Sequence, residues 1–288
     1  MKVLLLDTSF ASVPIYNALL AAGHEVWVMG NRPTDLLAQL AQDHWIEQDY
    51  SDVKTVETYL RHGHFARVIP GCTDVSIATC ARMSLMIGRI DPINITDLIS
   101  DKASFREVCK RIGMRAPRVI PLDSLPAEGR VICKPTDSFS GRGVSVFELS
   151  EAGALNMALE SARTVSPSGR AIIETFIQGQ MHSCTGFLEN GRLVDTVYVI
   201  EGSAANAFAV DTSYVTNDVP EASRCELENS LEALAKELKL VDGLIHTQFI
   251  LTVEGAYVVE VTRRCPGDLY STLIELATGY PYAARYAS

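Results

Sequence analysis

The sequence predicts an α/β first part built on a parallel sheet, followed by an α+β part of antiparallel strands and helices. Three observations carry this expectation. Through about residue 98, short apolar runs alternate with helical segments, the strand–helix–strand order that makes parallel sheets. From about residue 130, strands follow one another across tight turns, chief among them Asn190-Gly191, the strongest two-residue hairpin signal. The composition, 47% hydrophobic and 21% charged over 288 residues, is that of a folded chain with real cores.

The elements follow in order. Lys2–Leu6 reads as a buried strand, and Pro14 opens a helix that runs to Ala22 and stops at Gly23, following the Pro-first, Gly-last asymmetry of helices. Glu25–Met29 is the next strand, with polar helical segments around Thr34–Ala41 and Thr55–His62. Val68–Pro70 is a third strand and Asp74–Ile87 a third helix. Asp101–Ile112 is a helix that Ser100 can cap and Gly113 can end. Arg130–Lys134 and Val144–Leu149 are strands around a Ser/Gly-rich loop, and Ser150 is placed to cap a following helix of about a dozen residues. Ala171–Glu174 is a short strand. His182–Glu189 and Arg192–Val199 form the Asn190-Gly191 hairpin, and Glu221–Leu238 is a helix. Gly243–Leu251 and Ala256–Val261 pair around Glu254-Gly255, and Leu269–Thr278 is the last helix.

Several function classes are disfavoured. A net charge of −10 argues against nucleic acid as a main partner, since backbone-phosphate binding needs a basic surface. No apolar run reaches the roughly 18–20 residues of a membrane span, so no membrane association is expected. The start, MKVLLLDTSF, reads as a strand, not a signal peptide. Seven scattered cysteines without a CxxC pair suit a reducing cytoplasm rather than a disulfide or zinc framework. The first lobe is Rossmann-like in shape, yet Thr8-Ser9-Phe10-Ala11-Ser12 has no glycine where a nicotinamide-binding GxGxxG turn belongs, which disfavours a nicotinamide-dependent oxidoreductase.

Individually, the chemistry-bearing residues leave alternatives open. Lys102 opens a helix against its positive dipole end, which a bound anion explains and a solvated lysine explains equally well. Lys134 ends an apolar strand before Pro135, where a lysine either snorkels or meets an anion. The loop Thr136–Val144, with Ser138, Ser140, Gly141, Arg142 and Gly143, can turn backbone N–H groups toward phosphate, though most Gly/Ser loops are plain hairpin turns. Glu174-Thr175-Phe176-Ile177 can offer backbone to an adenine edge or be an edge strand entering a turn. Period-two alternation puts Gln248 on one face with His246, and Glu260, Thr262 and Arg264 on one face of the partner strand. Such a set suits magnesium held against phosphates, with Arg264 as an oxyanion fork, or else is a solvated face.

Taken in order, DKASFREVCKRIGMRAPR, ICKPTDSFSGRGV, IIETFIQG and GLIHTQF…YVVEVTRRCPGD resemble the ATP-grasp superfamily over nearly the whole chain, most of all its carbamoyl-phosphate-synthetase-like and amino-acid-ligase-like branch. The resemblance implies a Rossmann-like pre-ATP-grasp domain at 1–98, a small ATP-grasp lobe at 99–178 and a C-terminal lobe with the metal and phosphate site at 179–288. It implies ATP and Mg2+ as cofactors. Lys102 and Lys134 would hold the α- and β-phosphates, and the loop from Ser138 to Gly143, with Ser140, Gly141 and Arg142, would close over the triphosphate. Glu174, Thr175, Phe176 and Ile177 would form the adenine hinge. Gln248, Glu260 and Thr262 would be metal ligands, with Arg264 at the transferred phosphoryl group. The implied activity is ADP-forming ligation of a small-molecule carboxylate to an amine, in a cytoplasmic enzyme, with a homodimer as the family's common arrangement. An ATP-binding protein with little catalysis is the alternative.

Where the family usually has glutamate this chain has Gln248, and Thr262 stands where asparagine is usual. Met181 or His182 stands near a common ribose-binding glutamate. For an ATP-binding protein with little catalysis, Gln248→Glu is expected to raise magnesium-dependent ATP affinity or awaken ADP release. For a ligase, Lys134→Ala and Arg264→Ala are each expected to remove ADP formation while leaving the fold intact. The loop Gly71–Ser76, the strip Ser203–Tyr214 and His246 are expected to border the acceptor cleft.

Overall fold

A computed structural model describes residues 1–138 and 141–288. The chain opens on a parallel sheet of β1 (Lys2–Leu6), β2 (Glu25–Gly30), β3 (Trp45–Glu47) and β4 (Arg67–Pro70), ordered β3-β2-β1-β4. Val3 through Leu6 have no exposed surface, as a continuous apolar run in a sheet covered on both faces should. The helices between these strands are α1 (Val13–Ala21), α2 (Leu36–Ala41) and α3 (Val53–Gly63). β3 is three residues long, too short for any periodicity to announce it.

The helix expected over Asp74–Ile87 divides at Met83 into α4 (Asp74–Arg82) and α5 (Ser84–Ile87). An unanticipated α6 (Ile93–Ser100) precedes α7 (Lys102–Ile112). Ser100 therefore belongs to α6, and the cap of α7 is Asp101, whose carboxylate accepts from the Ser104 N–H at 2.9 Å and hydroxyl at 2.8 Å. A carboxylate there also offsets the dipole end where Lys102 sits.

A three-stranded antiparallel sheet follows: β5 (Arg130–Pro135), β6 (Ser145–Glu148) and β7 (Ala171–Thr175), ordered β6-β5-β7. Helix α8 (Ala154–Val165) covers it and begins at the left-handed Gly153, not at Ser150. The third sheet holds β8 (Gln180–Glu189), β9 (Arg192–Gly202), β10 (Thr212–Thr216), β11 (Gly243–Thr252) and β12 (Gly255–Thr262), ordered β10-β9-β8-β11-β12. Asn190 and Gly191 both take positive φ, 52° and 74°, as the expected two-residue turn demands. In the second hairpin Thr252 pairs with Gly255, so the turn is Val253-Glu254, one residue earlier than Glu254-Gly255.

Helix α9 (Glu221–Leu238) packs on one face of this sheet. There Leu231 and Leu234 meet Cys184, Tyr198, Phe249 and Val258, joined by Phe105 and Val108 of α7. The other face meets α10 (Tyr270–Thr278) and α11 (Tyr282–Ala287). There Phe187, Val199, Leu244, Tyr270 and Tyr282 share one core with Val3, Leu5 and Ile15 of the first sheet. No helix among the described residues is long and apolar enough to cross a membrane.

Arg263 is the polar tie beneath this arrangement. Its side chain is 8% exposed, pairs with Asp91 at 2.7 Å and donates to the carbonyls of Val241, Gly243 and Leu244. Asp91 in turn accepts from the Val241 N–H at 2.8 Å. Removing one partner of a buried pair strands the other charge, so Arg263→Leu should lower unfolding stability by about 3–5 kcal/mol. Urea denaturation measures this, and a loss below about 1 kcal/mol would refute the assignment.

Candidate active site

A buried carboxylate organises the site. Glu174, on β7, has no exposed surface, accepts from Arg106 Nε at 2.6 Å and forms an ion pair with Lys134 Nζ at 2.8 Å. Burial opposes its charge, and the two cations overcome that penalty and hold the carboxyl below its usual range. Arg106 also donates from Nη2 to the carbonyl of Val259 at 2.8 Å. One guanidinium on α7 thus joins the second sheet to the third, and Lys134 reaches the same carboxylate from β5.

The expected site residues meet different fates around this triad. Lys134 is buried against Glu174, so its replacement by alanine is predicted to cost stability as well as any phosphate contact. The side chain of Glu174 is internal. Thr175 spends its backbone N–H on the Arg118 carbonyl at 2.9 Å and its hydroxyl on the Arg118 N–H at 3.0 Å. Phe176 is half-buried under the Arg130 guanidinium, 4.5 Å from its ring centroid, and Ile177 is half-buried beside it.

Lys102 donates from Nζ to the Ser138 carbonyl at 2.7 Å and from its backbone to Thr136 at 2.9 Å, which ties the start of α7 to the glycine loop. Burial, with the charges of Lys134 and Arg106, holds its ammonium below the ordinary lysine range, against the pull of Glu260. Within the loop, Ser138 donates to the Arg142 carbonyl at 3.0 Å, and Gly141 and Gly143 take φ of 65° and 73°. A Cβ on Gly141 would lie 2.4 Å from the Phe208 carbonyl oxygen, so the loop packs on the strip that leads into β10. Ser140 lies outside the described residues.

On the third sheet, Gln248 stands directly opposite Glu260, and His246 opposite Thr262. A bulge makes this possible. Phe249 pairs with Val258, so Val259 is an extra residue, and Arg106 takes its carbonyl. Without the bulge, strict alternation would turn Glu260 and Thr262 to the face of Ala256 and Val258, which is buried under α9.

Gln248 donates from Nε2 to Glu201 Oε2 at 2.6 Å. Glu201, near the end of β9, is 4% exposed. Burial and the carboxylates of Asp268 and Glu260 push its carboxyl up to about 7, against hydrogen bonds from Ser183 and Gln248. His246 is buried, with its ring edge-on to Tyr270 at 5.0 Å. Burial, then the charge of Arg264, depress its pKa to about 3, so it is neutral near pH 7. His182 turns into the core and stacks on Phe249, 5.4 Å between rings, while half-buried Met181 is its neighbour on the strand.

Arg264 meets the loop after β4. Its guanidinium binds Asp74 bidentately, at 2.7 and 3.0 Å, and donates to the carbonyls of Cys72 and Cys265, each at 3.2 Å. In the first lobe, Asp7 accepts from the Ser9 N–H at 2.9 Å, the Ser12 hydroxyl at 2.6 Å and the Cys72 N–H at 3.1 Å. A carboxylate of the chain itself therefore holds the donors that a phosphate would need there, and the absent glycine fingerprint has a structural reason.

The oxygen donors beside Glu260 suit a hard cation carried mainly by phosphates and water. Glu260 supplies a solvent-facing carboxylate, Gln248 a carbonyl and Thr262 a hydroxyl. Among the described residues no three His, Cys, Asp or Glu side chains are grouped to hold a metal by themselves. Sequence reasoning missed three members of this site: Arg106, Glu201 and Asp74. Asp74 sat in a recognised loop, but neither of the others lies in a motif that separates it from ordinary helix or strand residues.

This glycine loop, lysine–glutamate core and bulged acidic hairpin occur within residues 128–272 and the helix before them. The chain belongs to the ATP-grasp family: the model of the ATP-grasp domain matches residues 128–272, half its length. The carbamoyl phosphate synthase large chain of Thermotoga neapolitana is 23% identical over 198 residues, 65% of this chain and 18% of that protein. The chain thus spans under a fifth of the length of the curated relatives it matches. Among solved structures, phosphoribosylglycinamide synthetase from Anaerococcus prevotii superposes with a TM-score of 0.78 at 19% identity, covering 100% of this chain and 74% of that one. A biotin carboxylase complex from Campylobacter jejuni gives 0.78 at 16% identity, covering 99% and 70%. At these identities the superpositions establish the mixed α/β ATP-grasp fold.

The triad is testable by itself. Glu174→Gln leaves Arg106 and Lys134 as buried, unpaired cations and should cost about 3–5 kcal/mol. Thermal and urea unfolding measure this, and a loss under about 1 kcal/mol would show that the cations find other partners.

Proposed function

We propose that the chain binds Mg-ATP between its second and third sheets and uses it to activate a small-molecule carboxylate for attack by an amine. The observation that carries this reading is the convergence of Lys102, Lys134, the glycine loop and Glu260 around one cleft, joined through Glu174 and Arg106. Lys102 and the N–H groups of the loop would face phosphate oxygens, and Thr175 to Ile177 would border the adenine. Gln248, Glu260 and Thr262 would hold magnesium, whose role when bound is to neutralise phosphate charge.

In the reaction, an oxygen of the carboxylate attacks the γ-phosphorus, the bond to the ADP oxygen breaks, and an acyl phosphate forms. The amine nitrogen then attacks the acyl carbon, inorganic phosphate leaves, and the nitrogen loses a proton. Positioning and charge neutralisation supply most of the rate, as in phosphoryl transfer generally. Arg264 and Arg142 would serve the developing charge, Arg264 by exchanging part of its Asp74 pairing for the reacting phosphoryl group.

The same reading takes residues 1–98 as a Rossmann-like pre-ATP-grasp domain, 99–178 as the small lobe and 179–288 as the C-terminal lobe. The boundary at 99 is then one of chain order, because α7 packs with the third sheet. A cytoplasmic protein that forms homodimers and binds no nucleic acid fits the same reading and the net charge of −10.

Thermal unfolding with ATP, with MgCl2 and with both tests the nucleotide site. At a hundred times its Kd a ligand adds about 2.7 kcal/mol, and ATP should raise the melting temperature only in the folded site. Lys102→Met, which leaves the buried triad alone, should abolish that shift and ADP formation with carboxylate–amine pairs. An unshifted wild-type protein overturns the proposal. ATP binding without ADP release from any pair instead favours a nucleotide-binding protein with little catalysis, for which the neutral Gln248 and Thr262 beside Glu260 are the motivating observation.

A further inference from the structure

The cation set of this chain has a carboxylate in an unexpected place. At position 248 stands an amide. Its Nε2 lies 2.6 Å from Oε2 of Glu201, a residue 4% exposed on the neighbouring end of β9. The amide turns its NH2 group to Glu201, which leaves its carbonyl oxygen for the opposite direction. Gln248 stands directly across the strand pair from the solvent-facing Glu260. Ser183, directly opposite Gln248 on β8, lowers the Glu201 pKa, and its hydroxyl is within hydrogen-bond distance of Tyr270 at 2.8 Å. The residues around Glu201 are a serine, a glutamine and two further carboxylates, Asp268 and Glu260, with no cation paired to it among the described residues.

We propose that Glu201 is a positioning residue for the cation: it holds the Gln248 NH2 group and so orients the Gln248 carbonyl. This inference rests on the Mg-ATP reading and deepens it. Carboxylate and ligand are divided between two side chains, so the pair works as a unit. A glutamate at position 248 alone would replace the donor that meets Glu201 with a second carboxyl group, and the two could stay close only by sharing a proton. On this proposal Gln248→Glu weakens the site, opposite to the expectation drawn from sequence alone.

The experiment is a charge swap read by cation dependence rather than turnover. Calorimetric ATP titrations at graded MgCl2 give the Mg2+ concentration of half-saturation, and titrations in EDTA give metal-free ATP affinity. Removing an outer-shell partner of a metal ligand costs about 10–100-fold in metal affinity. Glu201→Gln should therefore raise the half-saturating Mg2+ concentration at least tenfold and leave metal-free ATP affinity within about twofold. Gln248→Glu alone should also weaken Mg2+ dependence, and the double variant Glu201→Gln/Gln248→Glu should return it to within a few-fold of the parent. Mg2+ dependence unchanged in Glu201→Gln, tightened in Gln248→Glu, or unrestored in the double variant overturns the proposal. If Glu201→Gln does not fold, the double variant decides: folded with near-parental Mg2+ dependence it supports the proposal, and otherwise it overturns it. Failure of the unmodified protein to bind ATP at any MgCl2 concentration would instead remove the Mg-ATP reading itself.

Discussion

The placement of the whole site depends on one buried carboxylate being neutralised from two directions. Glu174 has no contact with solvent, and an isolated ion there would carry a desolvation penalty of several kcal/mol. Lys134 from β5 and Arg106 from α7 must both be in place before that cost is offset. Because Arg106 also holds the Val259 carbonyl, the second sheet, α7 and the bulge in β12 are tied together through one guanidinium. Such a pair adds little net stability over a well-packed apolar trio, yet it tolerates few alternative registers. The gain is a fixed geometry between two sheets that would otherwise slide.

That geometry decides which residues face the cleft. Side chains along β12 change faces at the bulge, so Val258 stays under α9 while Glu260 emerges opposite Gln248. Lys102 lies four residues before Arg106 on the same helix, one turn away. Its ammonium reaches the glycine loop through Ser138, while Arg106 reaches the core. One helix thus carries a structural cation inward and a second cation toward the glycine loop, where burial lowers the Lys102 pKa and Glu260 opposes that shift. The neighbouring arginines of the last hairpin divide in the same way. Arg263 turns inward to Asp91 and three carbonyls, and Arg264 turns to Asp74 and the loop after β4.

The first sheet contributes through those contacts rather than through a nucleotide turn. Asp7 occupies the donors at the end of β1, and Gly71 sits so close that a Cβ there would lie 2.2 Å from the Cβ of Asp7. This close approach sets the loop that presents Asp74 to Arg264. The sheets share a continuous apolar core, so the first lobe meets the third sheet as a packed neighbour.

Much was legible in the sequence alone. Alternation and turn chemistry placed nearly all the strands and long helices, Asn190-Gly191 set one hairpin, and the spacing of Lys102, Lys134, the glycine loop and Glu260 marked the candidate site. These are local signals, carried by propensity, periodicity and glycine conformation. What escaped was short or nonlocal. β3 has three residues, α6 runs straight into α7, and β10 is stabilised by pairing with β9 rather than by its own pattern. Arg106 and Glu201 are ordinary residues of a helix and a strand until folding brings them to Glu174 and Gln248. The sequence by itself determined the fold class and marked the stretches proposed to line the cleft. Only the tertiary structure decided which charges are spent inside the protein and which face the cleft, because that depends on burial and on partners far away along the chain.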